Sequence, residues 1–341
     1  DATVLSGKSP AEHGAGMWND TLPGDIVTIP ERLQDLGYRT VGISHNAYFS
    51  DATGLSRGFD QFEWIHRSTF HKTAGVWLMC KFLMQLRQHG GGYTAPLSRH
   101  RPEYLVTETA NRSIRSLAGH REPFFMFVHT QAAHLPYSPP LSHREDFTDE
   151  IDLSPDDAAQ VAHDRSQNYY KTIADCCDFD ADTQDAIEAM YDGLVRYVDE
   201  RVQSIFNTVQ SADLGPTVFI VTADHGDLLG EQGVLGHQLL LHDGLINVPL
   251  IVHGLESLVD LPRDTLIQHA DLMTVLLSEA GLPEEELDDM IGIDPREQTR
   301  EFAVSQRGHE TYQEAIEQVS QHNPDFNVDN FQSGLLHAIR S

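Results

Sequence analysis

Residues 218–233 read VFIVTADHGDLLGEQG, an apolar, β-branched run that ends in Asp224-His225-Gly226-Asp227. A core strand has no packing use for a carboxylate beside an imidazole. One hard oxygen and one borderline nitrogen offered together form a donor set that divalent cations accept. Gly226, Gly230 and Gly233 allow the loop that follows to turn tightly. A second apolar run, PFFMFVH, is followed by TQAAHLPYSPP. His129 and His134 bracket that turn, and Pro136, Pro139 and Pro140 stiffen its exit. His134, on a rigid loop beyond a strand, is a candidate anion ligand or general acid. His129 reads as a core or supporting residue. GHQLLLHDGLINVPLIV then places His237 and Gln238 a short loop beyond Asp224, with His242 and Asp243 near the start of the next element.

The elements that must position these groups follow one order, helix then apolar strand. Ile29, Leu33 and Leu36 fall at i, i+4 and i+7, the stripe of an amphipathic helix. Gly37 suits its C-terminal cap, and YRTVGIS follows as a strand. Val106, Ala110, Ile114 and Leu117 mark a second helix before PFFMFVH. Ile187, Tyr191, Leu194, Val198, Val202 and Ile205 mark a third, broken by Leu214-Gly215-Pro216 before TVFIVTA. VPLIVHG is a further strand and ADLMTVLLSEAG a further helix. This alternation predicts an α/β fold with a largely parallel central sheet and helices on both faces. Ligands of such sheets sit at the carboxyl ends of the strands, which is where Asp224 and His134 fall.

Composition excludes some partners. The chain of 341 residues carries a net charge of −29, and only Lys8, Lys72, Lys81 and Lys171 are lysines among its 23 basic residues. Such a surface repels nucleic acid. Its bias towards Asp and Glu over Lys resembles proteins of salt-loving microbes, where high salt screens self-repulsion. The three cysteines, Cys80, Cys176 and Cys177, have no zinc-finger spacing. They predict free thiols rather than a disulfide framework. No apolar run approaches the ~20 residues needed to span a bilayer. Residues 61–101 hold six Lys/Arg against one acid, Glu63, and the Met-rich run GVWLMCKFLMQL. They predict either a helix packed on the core or a lid near an anionic substrate. Residues 141–184 are acidic and Ser/Asp-rich, and predict a solvated excursion with short helices.

As an ordered set, these segments resemble the sulfatase family of the alkaline-phosphatase-like superfamily. TADHGDLLGEQG resembles that family's strand-end metal motif, and FFMFVHTQAAHLPYSPP the segment with its substrate-binding histidine. GHQLLLHDGLINVPLIVHG, GYRTVGISHN, QHADLMTVLLSEAGLP and the opening LSGKSPAEHGAG resemble further family blocks in order. The likeness covers most of residues 1–310. It assigns 1–285 to an α/β catalytic domain with insertions near 61–101 and 141–184, and 286–341 to a C-terminal segment of the same domain.

The resemblance implies metal-dependent hydrolysis of sulfate esters of small molecules or glycans. Asp224 and His225 would ligate a divalent metal, usually Ca²⁺, with Mg²⁺ or Mn²⁺ as alternatives. His134 and His237 would be the catalytic groups that contact the ester or its leaving group, and Gln238 is a lesser candidate for the second contact. Asp227 and Glu231 would support the loop, and His13 would order a loop near the site. The register places the nucleophile and two metal-binding acids upstream of Asp1. Asp1 occupies the family's Arg position, and Ser44-His45-Asn46 stands where a lysine is expected. These departures bring phosphodiesterase or phosphotransferase chemistry, and a non-catalytic relative, into consideration.

Overall fold

The structure, a computed structural model, describes residues 2–15, 21–65, 76, 79–84, 103–175, 179–287, 290–307, 309–327 and 336–340. The first unit forms as its stripe predicts. Helix α1 (Ile29–Asp35) starts at Thr28, whose hydroxyl accepts from Glu31 N while the Glu31 carboxylate accepts from Thr28 N. Ile29 and Leu33 are buried, each such burial stabilising by about 1.5–3 kcal/mol. Strand β1 (Arg39–Ser44) follows and is buried at every position but the first. It is central in a parallel sheet of order β2-β1-β3, with β2 (Gln61–Trp64) and β3 (Phe124–Val128) on its two sides.

Helix α2 (Glu103–Leu117) leads into β3, and the long helix α3 (Ala181–Ser211) leads into β4 (Phe219–Thr222). Asp180 caps α3 through Thr183 N. Strand β4 pairs with β7 (Leu250–His253), and this pair is antiparallel, an exception within the largely parallel order expected. The physical reason lies in the connection. Between them the chain forms a short hairpin of β5 (Leu228–Leu229) and β6 (Leu235–Gly236) and a one-turn helix. A parallel return needs a long crossover, whereas a doubled-back loop delivers an antiparallel neighbour. The remaining described pair, β8 (Ala303–Arg307) with β9 (Leu336–Arg340), is also antiparallel.

Residues 141–184 depart from the predicted solvated excursion. Helices α4 (Pro155–Gln167) and α5 (Tyr169–Ala174) place Ala158, Ala159, Ala162, Ile173 and Ala174 in the main hydrophobic cluster against α3 and the hairpin. Their small apolar residues bury one face while the Asp and Gln residues stay outside. Most of 61–101, with Cys176 and Cys177, lies outside the described residues. Of that basic segment, Phe82 packs beside the cluster formed by β1 and α2, and Lys81 pairs with Glu108 at 2.8 Å. Among the described residues no helix is long and apolar enough to cross a membrane.

Candidate active site

Strands β3 and β4 end at a common place. A cavity of about 2210 Å³ is lined along one end by Asn46, His129, His134, Asp224, His225 and His237. The residues of β3 and β4 line it too, together with Val198, Val202 and Ile205 of α3 and Leu272 and Leu276 of the helix that starts at His269. Among the described residues, β3 hydrogen-bonds only to β1 and β4 only to β7, so the two strand edges facing this cavity make no ladder with each other.

The turn after β4 is built to hold its shape. His225 N donates to Asp224 Oδ1 at 3.1 Å, and Gly226 N donates to Leu245 O at 2.9 Å. A side chain on Gly226 has no room, since a Cβ there would lie 2.0 Å from Gly244 O. One residue before the turn, Ala223 O is bound at 2.8 Å by His269 Nε2, from the start of helix α6 (His269–Glu279). Asp224 therefore sits on a strand end pinned from a neighbouring helix. Burial beside the cavity favours the neutral acid, but the His225 and His129 imidazoles outweigh it and hold the Asp224 carboxyl well below the usual carboxylate range.

The three imidazoles meet at one point. His225 and His237 stack with ring centroids 4.1 Å apart, and His134 lies edge-on to His237 at 4.9 Å and to His225 at 6.1 Å. A ring nitrogen of each lies within 4.8 Å of the others, close enough for the group to be a candidate metal site. Each ring is oriented from behind. His134 Nδ1 donates to Leu135 O at 2.9 Å, His225 Nδ1 to Gly226 O at 2.8 Å, and His237 Nδ1 to Asp227 Oδ1 at 2.9 Å. Asp227 is nearly buried and also accepts from the Tyr137 hydroxyl at 3.2 Å. Burial and the adjacent His237 push the His134 imidazole below its ordinary proton affinity.

The structure thus gathers all four residues singled out in the sequence, Asp224, His225, His134 and His237. Gln238 goes elsewhere. Its Oε1 accepts from the Tyr169 hydroxyl at 2.8 Å and from the Tyr170 hydroxyl, which commits it to α5. Glu231 closes the hairpin by accepting Leu229 N at 2.6 Å. His242 caps a one-turn helix through Gly244 N at 3.0 Å. His13 is buried and orders its loop: Nδ1 accepts from Ala15 N at 3.1 Å and Nε2 meets Thr3 Oγ1 at 3.2 Å. His129 stacks on Phe49, and burial lowers its pKa to about 4. Asn46 accepts from Tyr48 N at 2.9 Å and still lines the cavity.

Two supports escaped the sequence reading. His269 was only the start of a helix there, and Tyr137 only a residue between prolines. Nothing in their local pattern announces a partner that is remote in the chain. Asp227, next to Gly226 and three positions before Gly230, was legible as a loop-supporting group but not as the partner of His237.

Comparison with known proteins identifies the family. The family model described as Sulfatase matches residues 2–282. The N-acetylglucosamine-6-sulfatase of Bos taurus is 25% identical over 302 residues, covering 82% of this chain and 51% of its own. The phosphonate monoester hydrolase of Agrobacterium radiobacter superposes with a TM-score of 0.64 at 17% identity, covering 99% of this chain and 78% of that one. BT4656 in complex with D-glucosamine-2-N,6-O-disulfate superposes with a TM-score of 0.60 at 18% identity, covering 89% and 72%. The chain spans about half the length of the curated relatives it matches, from 40% to 56%. With the alkaline-phosphatase-like architecture of its structural neighbours and a family match across most of its length, the chain belongs to the sulfatase family.

Proposed function

We propose that this site hydrolyses sulfate esters, acting within a longer protein. The observation that supports it is the convergence of Asp224, His225, His134 and His237 at the shared end of β3 and β4. In this reading Asp224 and His225 hold a divalent metal. The donor set fits one, since a carboxylate held ionised lies 3.9 Å from an imidazole nitrogen. When bound, such an ion polarises an ester's non-bridging oxygens.

The chain's own residues do the rest. His134 and His237 present ring nitrogens to the same point, where they would meet oxygens of the ester and stabilise the charge that builds in the transition state. Asp227 fixes the ring of His237 and supports positive charge on it. Either imidazole can pass a proton to the leaving oxygen.

The nucleophile and two further acids belong, in this reading, to a segment ahead of Asp1.

The test is the longer protein with Asp224→Ala, which should lose metal-dependent hydrolysis of an aryl sulfate. Unchanged turnover sinks the reading. The 341-residue chain alone should show little or no turnover. Asp1 at the family's Arg position and Asn46 in place of a lysine favour a second reading, phosphoester hydrolysis. A threonine nucleophile and a preference for aryl phosphates would select it.

A further inference from the structure

Gln238 turns from the reacting point but stays one residue from it, and its side chain holds a wall of tyrosines. It is buried, and its Oε1 accepts from the hydroxyls of both Tyr169 and Tyr170. The two rings lie 4.1 Å apart, centroid to centroid, at an angle of 34°. A buried amide that takes both hydroxyls fixes the rings by their polar ends and leaves their faces to other partners. Tyr169 stands beside both loops that carry the catalytic histidines. A Cβ on Gly236 would meet Leu135 Cδ1 at 3.1 Å and Tyr169 Cδ2 at 3.9 Å. Gly236 precedes His237 and Leu135 follows His134.

Two other elements reach the same end of the cavity. After β1 the chain turns so that Tyr48 N donates to Asn46 Oδ1 at 2.9 Å and Thr53 Oγ1 donates to Tyr48 O at 2.7 Å. These bonds hold the backbone of Tyr48 while its side chain stays 40% exposed and lines the cavity with Tyr169. Helix α7 (His309–His322) packs on α5. Its Ala315 and Val319 share the main hydrophobic cluster with Ile173 and Ala174, and Asn323 Nδ2 donates to Ala174 O at 2.9 Å. With Ala315 turned to the core, its neighbour Glu314 is exposed and lines the cavity. Burial first, and then the charge of Glu314, push the Tyr48 phenol up, and the same charge acts on Tyr170.

Ring faces beside a reacting point suit the C–H face of a sugar ring, whose hydroxyls stay free for polar partners. Aromatic faces also attract cations, and a carboxylate beside them adds to that pull. An ammonium group on the sugar satisfies both at once. A second anionic group in its place would meet the charge of Glu314.

We propose that Tyr48, Tyr169 and Glu314 form the subsite for the leaving group, and that it takes a sugar ring bearing a free amine. This deepens the sulfate-ester reading and rests on it for the position of the reacting oxygen. Gln238 is a positioning residue of the subsite, acting through Tyr169 and Tyr170.

The experiment uses the longer protein, so that every group ahead of Asp1 is the same in parent and variants. Glucosamine and N-acetylglucosamine share a ring and differ in the charge of one substituent. Their binding is followed by saturation-transfer NMR at pH 6, where the amine is protonated. Glucosamine should bind about 3–30-fold more tightly, the combined effect of an exposed cation–aromatic contact and an exposed ion pair. Glu314→Gln should remove most of that difference, and Tyr48→Ala should weaken both sugars. Both side chains are exposed, so the variants should keep the fold, which melting curves check. Glucosamine should also inhibit aryl sulfate hydrolysis competitively. The proposal is overturned if N-acetylglucosamine binds as tightly as glucosamine, if folded Glu314→Gln keeps the preference, if neither sugar binds, or if inhibition is not competitive. Any of these results beside intact aryl sulfate hydrolysis leaves the sulfate-ester reading standing. Amine-dependent binding in a protein that hydrolyses no sulfate ester would instead defeat that reading, and with it the assignment of this ring site to a leaving group.

Discussion

Replacing Asp271 with alanine should show how strongly the site's scaffold depends on one buried carboxylate. Asp271 is fully buried in the first turn of α6. It accepts from Gln268 N and from Ile293 N at 2.8 Å each, and from Arg300 Nε at 3.1 Å, with a second contact to an Arg300 terminal nitrogen. Alanine would leave two backbone N–H groups and a guanidinium, only 17% exposed, without their shared acceptor. Breaking such a pair from one side costs about 3–5 kcal/mol. At roughly 2.1 cal/mol/K per residue, the unfolding entropy of this chain is about 0.7 kcal/mol/K, so Tm should fall by about 4–7 °C. The assay is thermal unfolding followed by circular dichroism, run beside the double variant Asp271→Ala/Arg300→Leu. Removing the stranded cation should return about 1–2 kcal/mol of the loss, since an apolar replacement of both partners is tolerated better than half a pair. A Tm within about 1 °C of the parent would refute the reasoning. So would a double variant no more stable than the single one. Because His269 of the same turn holds Ala223 O, the single variant should also weaken whatever binds at Asp224.

In a catalytically competent longer protein, Asp227→Asn should lower kcat/KM by about 10–160-fold, the equivalent of a charge-assisted hydrogen bond of about 1.5–3 kcal/mol; Tyr137→Phe, which removes only the outer 3.2 Å bond, should cost clearly less, and equal effects would contradict the order of contacts. Gly226→Ala forces a Cβ against Gly244 O, so it should push the Asp224–His225 turn aside and weaken divalent-metal binding while the far helices keep their protection in hydrogen exchange. His13 has its pKa lowered to about 4, chiefly by burial, and must stay neutral for Nδ1 to accept from Ala15 N. Its folded pKa lies below the unfolded value, so the unfolded chain binds more protons in between. The stability it contributes is present above about pH 6.5 and is lost as pH falls towards 4, in all on the order of 3 kcal/mol. Denaturant titrations from pH 7 to 4 should show this slope reduced in His13→Gln, and an unchanged slope would reject the assignment.

The sequence by itself determined the local pieces. The stripe Ile29-Leu33-Leu36, the helix end at Gly37 and the apolar runs at 124–128 and 219–222 fix helices and strands through contacts near in the chain. The abrupt Asp224-His225 ending was legible because a core strand excludes such residues unless they have a use at its tip. His134 and His237 were legible as strand-end histidines on the loops that follow. What the tertiary structure alone decided is which of these meet and in what state. That Gln238 turns to Tyr169 while His237 turns to the site depends on where α5 packs, which no local spacing encodes. The antiparallel return of β7 depends on how a short loop doubles back, and the burial of 158–174 on a face that other helices cover. The proton positions on the three imidazoles follow from which oxygen stands behind each ring. Those are properties of atoms brought together through space, and they turn a list of histidines into ring nitrogens gathered at one point.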